Sequence, residues 1–230
     1  MIELERIGAE LREVLRGALE RSLVLASASP RRADLLTQVG IAYEVRVSEV
    51  AEEEDVPGAD PVDVAEAHAR QKALDVALGV PERVVLGADT VVVLGGRSLG
   101  KPGSAAEARE MLAALSGRTH EVITGVALAL GHPGDGEVRA CLLQLGHVRT
   151  AVRFRDLSSE EIEAYVACGE PMDKAGAYGI QGRGALLVRE ISGCYFNVVG
   201  LPLSRTWEML ASVGYEIPWT TAAKHRGRRS

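Results

Sequence analysis

The stretch Leu23–Gly40, LVLASASPRRADLLTQVG, decides how the rest of the chain is read. Leu23, Val24 and Leu25 are a short apolar run of the kind that forms a buried strand, and Ala26 to Ser29 are small enough to let another molecule approach the backbone. A helix follows. Ser29 suits its N-cap and Pro30 its first position, Leu35, Leu36 and Val39 form its inward stripe, and Gly40 suits its stop. Arg31 and Arg32 conflict with this plan, because the helix N-terminus carries partial positive charge and disfavours each cation by about 0.3–1 kcal/mol. A polyphosphate at the helix end, held by backbone N–H groups, Ser27, Ser29 and the two guanidinium groups, resolves the conflict. Pairing of both arginines with surface carboxylates resolves it equally well.

With 230 residues, 47% hydrophobic and 25% charged, the chain can bury a core as one domain or two closely joined lobes. The formal net charge of -6 argues against broad nucleic-acid binding but allows a local basic pocket. Cys141, Cys168 and Cys194 lack metal-ligand spacing and read as buried fillers in a reducing, cytoplasmic setting. No segment has the long uncharged run of a membrane helix, and the N-terminus is too rich in Glu for a signal peptide, so no membrane partner is expected.

Three segments are expected: an amphipathic helical extension over 1–21, a body over 22–213 and a basic, flexible tail over 214–230. The first places Leu4, Ile7, Leu11, Val14, Leu15 and Ala18 at helical spacing, to pack on the body or on a second subunit. Tyr43 to Val50 alternates like a strand and leads into an acidic loop in which Glu52 is either solvated or a ligand. Asp60 and Pro61 open a helix that ends before Gly79; Ala65, Ala69, Lys72, Ala73 and Val76 share a stripe. Lys72 at the edge of that stripe either snorkels to water or reaches into a cleft.

Val84 to Leu94 reads as a strand covered on both faces, yet Asp89 stands in its centre. An isolated carboxylate there is costly and must be neutralised by protonation, a cation or a metal, unless its side chain caps a bend. Gly95 and Gly96 read as a hairpin turn whose ladder, if regular, sets Thr90 opposite Lys101. Gly95, Gly100 and Lys101 nearly match a phosphate loop, but Pro102 lacks the hydroxyl and the N–H that such a loop needs. Beyond it, Ser104 with Glu107 and Ser158 with Glu161 predict capped helices, Glu121–Leu130 and Val148–Arg155 predict strands, and Gly131–Gly136 predicts a loop. Tyr165 reads as core. Gly176, Gly179, Gly182 and Gly184 predict a loop of sharp bends around Gln181, whose amide is either solvated or set against the edge of a nucleobase. A hairpin of Ala185–Ile191 and Cys194–Val199, then a helix over Leu203–Ser212, complete the body.

Taken together, SASPRR (27–32), GADT (87–90) followed by GKP (100–102), and DKAGAYGIQG (173–182) resemble the Maf family of nucleoside triphosphate pyrophosphatases over about residues 22–213. The resemblance implies an α/β fold similar to that of inosine triphosphate pyrophosphatases: a mixed central sheet flanked by helices, with two lobes and a cleft. It implies hydrolysis of a nucleoside triphosphate to the monophosphate and pyrophosphate with a divalent cation, Mg²⁺ or Mn²⁺. Asp89 matches the catalytic carboxylate, Ser27, Arg31, Lys72 and Lys101 match phosphate-binding positions, and Glu52 with Asp89 matches the metal ligands. Arg32, Thr90 and Gln181 resemble the branch that prefers dTTP and UTP. The departures are the N-terminal helix, the Ala69–Gln71 run and a longer segment near Gly131 to Gly146. A homodimer is expected, and the alternative is a nucleotide-binding regulator of cell division without turnover.

Overall fold

The computed structural model describes residues 8–50, 58–134 and 136–216. Helix α1 (Ala9–Leu19) buries Leu15 and Ala18 against the core, so the described part of the amphipathic segment packs on the body. Among the described residues seven strands form one mixed sheet: β1 (Leu23–Ala26), β2 (Tyr43–Val45), β3 (Arg83–Leu94), β4 (Arg97–Leu99), β5 (Thr119–Pro133), β6 (Val138–Phe154) and β7 (Val188–Ser192). Their order is β2-β1-β3-β5-β6-β7, with β4 paired to β3. Strand β1 runs parallel to β2 and β3, and the other pairings are antiparallel.

Helices α2 (Pro30–Gln38), α3 (Pro61–Leu78), α4 (Ala105–Leu115), α5 (Ser159–Ala167), α6 (Tyr195–Val199) and α7 (Leu203–Ser212) flank this sheet. The expected signals operate at several ends. Asp60 accepts the Val62 N–H at 2.9 Å, and Ser158 with Glu161 forms a complete capping box. Ser104 accepts from Glu107, but the Glu107 carboxylate turns to the Gly103 N–H, so this box closes one residue early. Ser29 occupies the N-cap of α2 without a side-chain capping bond.

Strand β3 carries the architecture, as its unbroken apolar run predicts. Val84, Leu86 and Ala88 face a core shared with β1, α2 and α7, while Val85 faces α3 together with Ala127 and Ala129 of β5. Helix α3 lies unusually close to the sheet. A Cβ at Gly87 would stand 2.2 Å from the Ala69 carbonyl oxygen, one at Gly125 2.2 Å from that of Ala65, and one at Gly131 2.3 Å from that of Ala77. Side chains are therefore excluded at these strand positions, and the helix opposes them with alanines.

Several expectations are corrected. Strand β2 stops at Val45, because Asp75 of α3 accepts from the Ser48 hydroxyl and the Glu49 N–H and draws the chain off the sheet. The β3–β4 ladder ends at Val92 and Leu99, short of Lys101; the Gly100 carbonyl accepts from Gly176 instead. Strand β5 continues to Pro133 and β6 starts at Val138, so the segment expected as a loop is largely a long hairpin. The glycine-rich segment forms short 3-10 turns at Glu170–Asp173, Ala175–Ala177 and Gly182–Leu186. Cys194–Val199 is not a returning strand. Asn197 buries its amide against the Val122 carbonyl and the Thr150 hydroxyl, which a short helix permits and an edge strand would not. The three cysteines are partly exposed, not buried.

Two predictions follow from this packing. Gly87→Ala should lower unfolding free energy by about 2 kcal/mol or more, as overpacking against fixed backbone does; urea denaturation measures it, and an unchanged midpoint would contradict the close approach. The second concerns His120, which is 2% exposed, with its Nε2 2.7 Å from the Tyr178 hydroxyl. Burial holds its pKa down at about 4. The native imidazole then stays neutral while the unfolded one takes up a proton near pH 6.5, so this stability is full above about pH 6.5 and is lost as pH falls toward 4, by about 2–3 kcal/mol. Denaturation at pH 7 and pH 4.5 should show a smaller acid loss for His120→Gln than for the parent.

Candidate active site

The site begins where β1 ends. Ala26 pairs with Gly87, after which β1 turns into the Ser27–Ser29 loop, and on that side β3 next pairs at Val92, with β4. Among the described residues, no strand lies beside this edge of β3 between Gly87 and Val92. Asp89 and Thr90 stand in the gap, and strand alternation sends their side chains to opposite faces of the sheet.

Asp89 points toward α3. Its Oδ1 accepts from Lys72 Nζ at 2.6 Å and its Oδ2 lies 3.3 Å from His68 Nδ1. All three side chains are nearly buried, at 11–15% exposure. Burial alone would raise the Asp89 pKa, but the His68 hydrogen bond and the charges of Lys72 and Arg32 outweigh it and hold the carboxyl far below its ordinary value. The costly carboxylate seen in the sequence is thus neutralised by a neighbouring cation. Lys72 reaches inward rather than snorkelling.

Thr90 points the other way, into a network of buried polar groups. Arg32 donates from Nη2 to Thr90 Oγ1 at 3.2 Å, from Nη1 to Ser27 Oγ at 3.0 Å and from Nε to the Gly200 carbonyl at 2.8 Å. The Thr90 and Thr124 hydroxyls are 2.9 Å apart, and Thr124 donates to the Asn197 carbonyl. Arg32 is therefore a buried brace joining α2, β3 and α6. Arg31, one residue earlier, is more exposed and pairs with Asp173 at 3.2 Å. Carboxylate pairing is seen for Arg31, while Arg32 bonds two hydroxyls and a backbone carbonyl.

A cleft of about 420 Å³ collects these groups. Ser27, Arg31 and Arg32 line it from the β1–α2 turn, Lys72 from α3, and Asp89 and Thr90 from β3. Lys101 and Gln181 complete it, the latter exposed on the wall formed by the glycine-rich segment. That segment holds its shape through left-handed backbone at Gly176, where φ is 67° and a Cβ would stand 2.9 Å from Val92. Glu52 lies outside the described residues. His68, Asp173 and Lys174 were not singled out in the sequence, although His68 could be found four residues before Lys72, on the same face of the helix.

The arrangement presents two ionised carboxylates, Asp89 and Asp173, among several cations, a pattern that suits a polyanionic substrate and a polarised water. Among the described residues, no group of three or more His, Cys, Asp or Glu is placed to hold a metal ion, and no helix is long and apolar enough to cross a membrane.

Known proteins place this geometry in a family. The chain is 54% identical over 197 residues to a dTTP/UTP pyrophosphatase of Symbiobacterium thermophilum, a match covering 86% of this chain and 96% of that one. A dTTP/UTP pyrophosphatase of Moorella thermoacetica is 54% identical over 195 residues, covering 85% and 96%. Among solved structures, a nucleoside-triphosphatase / dITP/XTP pyrophosphatase from Mycobacterium abscessus is 21% identical, covering 58% of this chain and 74% of that one with a TM-score of 0.33, a likeness too slight to weigh. The model of Maf-like proteins matches residues 22–213, and with relatives this similar over most of its length the chain belongs to the Maf family.

Proposed function

We propose that the chain hydrolyses dTTP and UTP between the α and β phosphates, releasing the monophosphate and pyrophosphate. The observation that carries this reading is the ionised Asp89 held 2.6 Å from Lys72 in a cleft also lined by Arg31 and Lys101. Relatives named dTTP/UTP pyrophosphatase, 45–54% identical over 86% of the chain, support the same substrate pair.

In this reading Ser27, Arg31, Lys72 and Lys101 bind the phosphates and neutralise the leaving pyrophosphate. Asp89 orients the attacking water and accepts its proton. A carboxylate held so low is a weak base, but a phosphate that draws the Lys72 ammonium toward itself relieves that hold, and Asp89 becomes more basic as substrate binds. Thr90, fixed by Arg32 and Thr124, and Gln181 read the base, whose pyrimidine edge matches an amide that donates and accepts side by side.

The donor set suits Mg²⁺ or Mn²⁺. These ions take one or two carboxylates and complete their shell with water and substrate phosphates, so Asp89 with Glu52 as the second carboxylate suffices. When bound, such a cation neutralises phosphate charge and acidifies water. The setting we propose is a cytoplasmic homodimer without a nucleic-acid partner.

Pyrophosphate release across a panel of nucleotides tests the whole reading. Asp89→Asn should lower kcat by about 10²–10⁴-fold, the worth of a positioned base, while nucleotide affinity measured by calorimetry is retained; near-parental turnover would remove Asp89 from its role. Gln181→Ala should flatten the preference for UTP over GTP. An unchanged ranking of substrates would assign base recognition to another residue.

A further inference from the structure

The glycine-rich segment brings to the cleft two charged side chains that the chemistry above does not use. Lys174 is nearly buried, with its side chain 15% exposed. Its ammonium donates to the Glu170 carbonyl at 2.6 Å and to Asp173 Oδ1 at 2.5 Å. Asp173 accepts at its second oxygen, Oδ2, from Arg31 Nη1 at 3.2 Å. One carboxylate thus bridges two cations from separate segments, the start of α2 and the glycine-rich segment, and all three groups line the cavity that Lys72 and Asp89 also line.

The place of Lys174 is built into the backbone. A Cβ at Gly179 would stand 2.8 Å from Lys174 Cε and 3.0 Å from Cδ, so the residue there must be small for the lysine stem to lie as it does. The Gly176 N–H donates to the Gly100 carbonyl at 3.0 Å, which ties this segment to the loop bearing Lys101. Asp173, by contrast, is 63% exposed. Burial by itself would raise its pKa, but the hydrogen bonds and charges of Lys174 and Arg31 prevail and lower it, so it is an anion throughout the neutral range. An ion pair with so exposed a partner contributes little to stability. It does leave a desolvated cation holding an anion that can be exchanged.

We propose that Lys174 is a further phosphate-binding cation of the cleft, and that Asp173 is a built-in counter-ion which a phosphate group displaces from Lys174 and Arg31. The inference rests on the pyrophosphatase reading above. A terminal phosphate of the substrate, or of pyrophosphate, carries more charge than a carboxylate and accepts the same charge-assisted N–H bonds, so it wins the exchange. The displaced carboxylate turns to the water it already faces. Breaking its two ion pairs offsets part of the attraction, which loosens the hold on the departing pyrophosphate.

The test is calorimetric binding of inorganic pyrophosphate in the presence of Mg²⁺, together with UTP kinetics, on the full chain. Asp173→Asn should bind pyrophosphate about threefold to tenfold tighter and lower the KM for UTP in step, as removal of a competing anion requires. Lys174→Met should weaken pyrophosphate binding and raise KM by about tenfold, with kcat changed far less. In the double variant the gain from Asp173→Asn should shrink, because the lysine it uncovers is gone. Pyrophosphate affinity that is unchanged or weaker in Asp173→Asn overturns the proposal, and that near-isosteric variant decides the matter if Lys174→Met folds poorly. If the parent chain releases no pyrophosphate from any nucleotide while the binding shifts still appear, the exchange stands and the pyrophosphatase reading is what fails.

Discussion

Everything at the site depends on how closely helix α3 can lie on strands β3 and β5. The carbonyl oxygens of Ala65, Ala69 and Ala77 come within 2.2–2.3 Å of where Cβ atoms would stand at Gly125, Gly87 and Gly131. Backbone therefore packs against backbone along the helix. The row beside those alanines carries His68 and Lys72, one turn apart, and the short distance from helix to strand lets both reach Asp89. A layer of larger side chains would move the helix outward and leave a buried carboxylate unpaired, which is among the more expensive defects a core can contain.

Strand alternation then divides the labour. Asp89 faces α3 and the Lys72 ammonium, and Thr90 faces α2 and α6, where a chain of hydrogen bonds runs from the Arg32 guanidinium through the Thr90 and Thr124 hydroxyls to the backbone of Asn197. Because β1 ends at Ala26 and β4 joins only from Val92, two adjacent residues on opposite faces of one strand line a single cleft. The cations Arg31, Lys72, Lys101 and Lys174 gather there in a chain whose formal net charge is -6, so the basic character of the pocket is local.

Much of this was legible in the sequence. The β1–α2 turn, the ends of α3 and α7, the start of α5, and the double-sided burial of β3 follow from caps, proline, glycine and apolar runs, which act over a few residues. Asp89 stood out because a carboxylate in an apolar strand has few inexpensive explanations. The failures share a different cause. Strand β2 is cut short by Asp75, thirty residues on, and Tyr195–Val199, apolar and β-branched enough for a strand, is helical because Asn197 finds its partners on β5 and β6. For Arg32 the sequence left an anion and a surface carboxylate open; the bonds to Thr90 and Gly200 lie far along the chain, beyond the reach of a local reading.

By itself, then, the sequence determined the local elements, the family and the identity of most groups in the cleft, since helix caps, strand periods and short motifs are properties of neighbouring residues. Only the tertiary structure decided which cation neutralises Asp89, that Arg32 is a brace and Arg31 an exposed partner of Asp173, and that Lys174 shares the cleft. Pairings of that kind join residues up to 168 positions apart. They exist only once the sheet has brought those positions together, because Coulomb and hydrogen-bond energies depend on distance in space and not on distance along the chain.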